Sequence, residues 1–167
     1  DNDRFFFDSG YDELFGDGGD DLFEARFHEF TPSGPADQLD GGSGNNGLIV
    51  TGTSGTHAYV LDDTFHTEQL KLDYDDKPFA EMKNTQGIYV EGGTGYEVFE
   101  IGPFFDAGES RVVNGVEEWL YPPPSNFPAP TVIFTGGPGG AVFRFGEAGR
   151  GLNPTDARHI QSLIAVG

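Results

Sequence analysis

Acidic and amide side chains recur at a fixed spacing near the start of the chain, and they supply the oxygen atoms that hard cations bind. Asp3, Asp12 and Asp21 are nine residues apart, and after an interruption Asp37 and Asn46 are again nine apart. Carboxylates at this density lie in water or are neutralised by a bound cation. These side chains are therefore candidate ligands for a cation.

The context of these residues repeats as well, and it indicates the elements that position them. A large apolar residue follows each candidate ligand by two positions: Phe5, Leu14, Phe23, Leu39 and Leu48. Glycines precede the ligand, most clearly in "GGSGNNGL" at 41–48. Glycine accepts the positive φ angles of tight turns. Each nine-residue frame is therefore expected to form a glycine-rich turn followed by a short strand.

The frame resembles the calcium-binding nonapeptide repeat of hemolysin-type (RTX) secreted proteins, G-G-x-G-x-D-x-U-x, in which U is a large apolar residue. The clear match covers residues 1–50. Weaker echoes follow at 51–60, at 91–99 with Glu97 where Asp is expected, and at 135–143 with Ala141 there.

The resemblance implies an all-β fold: a parallel β-roll or β-solenoid with calcium-binding turns, irregular insertions and stacked inward-pointing U residues. Consecutive frames lie on alternate sides of such a roll, so Asp3 and Asp21 would share an ion, with Asp12 opposite. Asp12 would take its partner from Asp37 or from upstream sequence. Asp37 and Asn46 form the next candidate pair, which the uncharged amide of Asn46 weakens.

The remainder of the chain is expected to continue the solenoid as one domain, with residues 1–50 as calcium-binding repeats and 51–167 as a degenerate continuation. The proline-rich segment 117–130 predicts an irregular, extended loop. Its Trp119 would cap the last coil or, with its neighbouring aromatics, stack on sugar rings. The segment "NPTDARHIQSLIAV", 153–166, predicts a short C-terminal helix with Ile160, Leu163 and Ile164 on one face.

Composition narrows the partners. The chain has 28 acidic and 9 basic residues, a formal net charge of −19, which repels nucleic acid and anionic membrane surfaces. It has no cysteine, so disulfides and thiolate metal sites are excluded. No apolar run is long enough to span a bilayer. The chain begins inside the repeat, which suggests part of a longer protein.

Together these features predict a secreted, calcium-binding structural or adhesive module, exported by a type I route or displayed at the cell surface. Self-assembly and cell-surface polysaccharide are the further partners expected. Two alternatives stay open. Asp73, Tyr74, Asp76 and Lys77 have the residue types of a polysaccharide-modifying enzyme, and a salt-adapted β-domain would carry acidic turns without a specific metal. The grouping of His57, Asp62, Asp63 and His66 is interpreted as polar surface.

Overall fold

The fold is all-β, as seen in a computed structural model. The structure describes residues 1–8, 10–26, 34–52, 55–63, 70–101, 109–113, 116–121, 131–145 and 162–166. These residues form strands and turns but no helix. Accordingly, none of the described ranges contains a helix with the length and apolar character needed to cross a membrane.

The strands form two large sheets and one small one. The first sheet contains, in spatial order, β1 (Arg4–Phe7), β3 (Leu22–Arg26), β5 (Gly47–Thr51), β9 (Gly87–Glu91), β13 (Thr131–Thr135) and β15 (Ser162–Val166). The second contains β14 (Ala141–Phe145), β10 (Glu97–Ile101), β6 (His57–Asp63), β7 (Leu70–Tyr74), β8 (Lys77–Lys83), β4 (Asp37–Asp40) and β2 (Glu13–Phe15). The small sheet pairs β11 (Glu109–Val113) with β12 (Val116–Tyr121).

Parallel pairing dominates both large sheets. Every strand pair of the first sheet is parallel. From β1 to β6 the chain alternates between the two sheets, one strand at a time. Because parallel neighbours need a crossover rather than a tight hairpin, the strand in the other sheet serves as that crossover. Both sheets contain strands from residues 1–50 and from the rest of the chain.

The second sheet departs from this regularity through a meander of β6, β7 and β8, whose two internal pairings are antiparallel. The turn between β7 and β8 has Asp75 and Asp76 at φ angles of 49° and 59°. Two consecutive residues with positive φ make the tight two-residue turn that matches the twist of a hairpin. The meander places β8 beside β4 and β6 beside β10.

The apolar position of the nine-residue frame lies inside. Phe23, Leu39 and Leu48 are buried, and Phe5 and Leu14 pack against the same core. Strand register stacks these residues in lines: Phe5, Phe23, Leu48, Ile88 and Val132 in the first sheet, with Leu14, Leu39 and Met82 and then Tyr59, Phe99 and Phe143 in the second. Burying such side chains contributes about 1.5–3 kcal/mol each.

The predicted C-terminal helix is wrong where the structure describes it. Ser162–Val166 is strand β15, which pairs in parallel with β13. The sequence "SLIAV" suits either state, and a free strand edge on β13 offers backbone partners that an isolated helical turn lacks. Ile160 and the earlier part of the predicted helix, residues 153–159, lie outside the described residues.

The proline-rich segment is regular over part of its length. Residues 117–121 belong to β12, and Trp119 pairs with Ser110 of β11 in antiparallel register. The expectation of irregular structure is therefore wrong for residues 117–121. These residues include no proline, so their backbone N–H groups are free to pair with β11. Residues 122–130 lie outside the described residues.

Candidate metal-binding turns

The turns that carry the predicted ligands stack on one another at two ends of the sheets. The first turn stack consists of residues 1–3, 16–21, 41–46 and 84–86, each leading into a strand of the first sheet. Its members are joined by backbone hydrogen bonds, such as Gly19 N to Ser43 O at 2.9 Å and Ser43 N to Asp17 O at 3.0 Å. The second turn stack consists of Asp12, just before β2, together with Ala36 and Asp37 at the start of β4.

A ladder of hydrogen bonds runs through the first turn stack. The backbone N–H of Asp3 donates to Oδ1 of Asp21 at 2.8 Å, and the N–H of Asp21 donates to Oδ1 of Asn46 at 2.9 Å. The ladder continues from the N–H of Asn46 to Oε1 of Gln86 at 2.7 Å. Asp3, Asp21 and Asn46 thus lie on neighbouring turns of the first turn stack.

Gln86 was not among the predicted residues, although a sequence signal for it exists. Asn46 is followed by Gly47 and Leu48, and Gln86 is followed in the same way by Gly87 and Ile88. The two strands pair with Gly47 opposite Gly87. The absence of a complete glycine turn before Gln86 concealed the match.

Asp12 and Asp37 meet in the second turn stack. The N–H of Asp12 donates to Oδ1 of Asp37 at 2.8 Å, so the same ladder bond is made at the other end of the sheets. Asp37 and Asn46, expected as a pair, are not brought together. Asp37 begins β4 of the second sheet, whereas Asn46 precedes β5 of the first, because consecutive frames alternate between the sheets.

The environment of the Asp37 side chain disfavours its charged, carboxylate form. Its side chain is buried, with Asp12 and Asp8 nearby. Burial above all, together with the charges of Asp12 and Asp8, raises the pKa of Asp37 to about 6, although the hydrogen bond from the N–H of Asp12 acts to lower it. A bound cation would relieve this cost because it favours the charged carboxylate.

The raised pKa of Asp37 predicts a pH dependence of the metal-free protein. The folded protein binds the proton more tightly than the unfolded chain, so stability rises as the pH falls through about 6 and levels off below about 4. Thermal unfolding in chelator should show a rise of a few degrees for the unsubstituted chain and a smaller one for Asp37→Asn, which keeps the Oδ1 acceptor. Asp76→Asn, at an exposed hairpin residue, is the matched control. An equal pH response in Asp37→Asn would contradict the assignment.

One carboxylate oxygen of the first turn stack fits a cation. Asp21 is 2 % exposed, and its Oδ2 has no hydrogen-bond partner among the described residues. A Cβ added at Gly16 would lie 2.3 Å from this oxygen and 2.9 Å from the carbonyl oxygen of Gly41. A free carboxylate oxygen and a main-chain carbonyl therefore flank the same glycine. These are the oxygen types that calcium binds.

Glu97 repeats this arrangement further along the chain. It is fully buried, neither carboxylate oxygen has a hydrogen-bond partner in the described part of the chain, and its side chain lies against Gly92. Gly92 precedes Glu97 by five residues, as Gly16 precedes Asp21. The substitution of Glu for Asp in the frame thus keeps a buried carboxylate at the turn.

Side chains alone do not complete a metal site. Within the described ranges, no three His, Cys, Asp or Glu side chains converge as metal ligands. Any cation held by these turns would therefore take most of its ligands from main-chain carbonyls, which the glycine-rich turns supply.

The residues considered for catalysis do not form a cluster. Tyr74 is buried with its ring 5.3 Å from that of Tyr59, whereas Asp73 accepts from Nζ of Lys71 at 2.8 Å on the other face of β7. Asp76 and Lys77 are exposed at the hairpin turn. Alternation along the strand therefore separates groups that are adjacent in sequence.

His57 belongs to the grouping that the sequence analysis interprets as polar surface, and it contacts two residues of the β7–β8 region. Its Nδ1 lies 2.8 Å from Oδ2 of Asp75, and its ring stacks on Tyr74. Asp62 and Asp63 lie in β6, but their side chains, like His66, fall outside what the structure describes.

In the stacked turns, the carboxylates of Asp21 and Asp37 each accept a backbone N–H from the neighbouring turn. Within the described part of the chain, one oxygen of Asp21 and both oxygens of Glu97 have no hydrogen-bond partner. Comparison of the chain with protein-family models, curated proteins and solved structures finds no match.

Proposed function

We propose that this chain is a calcium-stabilised parallel β-roll that acts as an extracellular structural, adhesive or self-assembling module. The parallel pairing of the first sheet and the alternation of early strands between sheets support the roll. The observation that carries calcium binding is the buried, unpartnered Oδ2 of Asp21 beside the carbonyl of Gly41.

Calcium suits the chemistry of the two turn stacks. Asp3, Asp21 and Asn46 would hold it in the first stack, and Asp12 with Asp37 in the second. All of these ligands are oxygens, and two carboxylates about 5 Å apart repel by roughly 3 kcal/mol at an effective dielectric constant near 20. A divalent cation between coils reverses that repulsion. Glu97 supplies a further buried carboxylate for a later turn.

An extracellular location follows from the affinity expected of such sites. Turns that offer two acidic side chains and several carbonyls resemble the weaker class of calcium sites, with dissociation constants of about 10⁻⁴–10⁻³ M in extracellular modules. Resting cytosolic calcium would leave these sites empty. The roll would therefore become stable after export.

Calorimetric titration of the chain with calcium tests the proposal. We expect saturable binding, weakened at least about tenfold at one site by Asp21→Asn and at another by Asp37→Asn, since each removes a charge from a cation ligand. Both variants keep an oxygen for the ladder hydrogen bond. The exposed Asp76→Asn is the matched control and should bind normally. Absence of saturable binding, or equal binding by all three variants, would exclude the proposal.

A further inference from the structure

A cleft lies on the outer face of the second sheet, next to the second turn stack. Inward residues of β2, β4 and β8 are Leu14, Leu39 and Met82, so the alternate residues face outward. Between them is a cavity of about 300 Å³, bounded by Tyr11, Phe15, Gln38, Glu81 and Lys83 among others. We call it the outer cleft. Its volume is at the lower end of small-ligand sites, which span about 300–1,000 Å³.

Two aromatic rings stand exposed at the edge of the outer cleft. Tyr11 is 48 % exposed and Phe15 is 59 % exposed. Both lie on the side of β2, the edge strand of the sheet, with Glu13 between them in sequence. Exposed apolar patches rimmed by polar residues are typical of ligand-binding grooves. Flat apolar faces of this kind stack on the C–H faces of sugar rings.

Polar side chains that line the outer cleft are hydrogen-bonded to one another. The hydroxyl of Tyr11 donates to Oε1 of Glu13 at 2.7 Å, and Nε2 of Gln38 donates to Oε2 of Glu81 at 2.9 Å. These bonds fix the side chains before any ligand arrives, which lowers the entropy cost of binding. Carboxylate, amide and ammonium groups together offer both acceptors and donors, as sugar hydroxyls require.

The charges around the outer cleft narrow the class of ligand that it can bind. Glu13, Asp40 and Glu81 outnumber Lys83 around the outer cleft, and the whole chain carries a formal charge of −19. An anionic polymer would be repelled. The centre of a protein interface is depleted in charged residues, whereas charged groups line this cleft. A neutral saccharide meets neither obstacle.

We propose that the outer cleft binds a neutral glycan chain, with Tyr11 and Phe15 stacking on sugar rings and the Gln38–Glu81 pair bonding to hydroxyls. The site uses none of the proposed calcium ligands, although Tyr11 and Gln38 adjoin Asp12 and Asp37 in sequence. It therefore gives the module a second ligand besides calcium.

Binding of neutral hexasaccharides tests this inference. Cellohexaose, xylohexaose, chitohexaose and maltohexaose are titrated into the full chain in millimolar calcium, with hexagalacturonate as the anionic comparison. We expect at least one neutral oligosaccharide to bind and hexagalacturonate to bind far more weakly. Phe15→Ala should weaken binding about tenfold, the effect of losing one stacking contact.

Phe6→Ala is the matched control, because Phe6 is 58 % exposed but lies on β1 in the first sheet. It should bind as the unsubstituted chain does, and circular dichroism should show both variants folded. Failure of all four neutral oligosaccharides to bind, equal binding by Phe15→Ala, or preference for hexagalacturonate would overturn the inference. Sedimentation that shows self-association through Phe15 would also overturn it in favour of a second copy as the occupant.

Discussion

Saturating calcium is expected to raise the midpoint of thermal unfolding by about 10–20 °C over its value in chelator. A site filled at one hundred times its dissociation constant adds about 2.7 kcal/mol to the free energy of unfolding. With one ion in each turn stack the gain is about 5 kcal/mol, and a domain of this size shifts by about 2–4 °C per kcal/mol. Thermal circular dichroism across a calcium titration measures the shift.

Magnesium and sodium at matched ionic strength distinguish specific calcium binding from a general effect of salt. Magnesium demands a tighter octahedral shell and gives up its water reluctantly, so it should produce a much smaller rise. The combined variant Asp21→Asn with Asp37→Asn should lose most of the calcium response. An equal rise with magnesium or sodium would favour the salt-adapted β-domain, and no rise with calcium would exclude metal-stabilised turns.

Gly44→Ala is expected to lower the free energy of unfolding by about 3 kcal/mol or more, whether or not calcium is present. Gly44 has a φ of 128°, which side-chain-bearing residues rarely adopt. A Cβ at this position would lie 1.9 Å from the carbonyl oxygen of Gly19 in the adjacent turn. Relief requires the two turns of the first stack to separate. Urea denaturation of the purified variant measures the loss.

Gly47→Ala is the control for this substitution. Gly47 lies in β5, three residues further on, where the nearest atom to an added Cβ is Cδ1 of Leu22 at 3.5 Å, an ordinary contact. The change should alter the free energy of unfolding by less than about 1 kcal/mol. Equal destabilisation by the two substitutions would contradict the close stacking of residues 16–21 on 41–46.

The inward and outward positions of the early strands were predictable from sequence. In each nine-residue frame, a residue such as Phe23 or Leu48 is buried because side chains alternate along a strand. Glycine at the turn is also a local requirement, as the φ of Gly44 illustrates. Both features are set within a few neighbouring residues.

The pairing of ligands was predictable only in part. The alternation of frames predicted Asp3 beside Asp21 and offered Asp37 as a partner of Asp12, and both contacts are present, whereas Asp37 and Asn46, expected as the next pair, belong to frames of different sheets. Gln86 continues the first ladder 40 residues after Asn46, because β6, β7 and β8 lie between the two turns in sequence. The length of this intervening segment is not predictable from any local sequence pattern.

The secondary structure of Ser162–Val166 was also not predictable from local sequence. Its residues suit a helix face or a strand, and the free edge of β13 decides for the strand.

What the sequence alone determined is the content of each nine-residue frame: which residue forms the turn, which carries oxygen and which is apolar. Those properties depend on φ preference, charge and hydrophobicity, which belong to single residues and their neighbours. The tertiary structure decided which turn lies beside which, and so which backbone N–H each carboxylate accepts and which oxygen of Asp21 has no partner among the described residues. That choice depends on strand pairing across long insertions, whose length is not encoded in any local pattern.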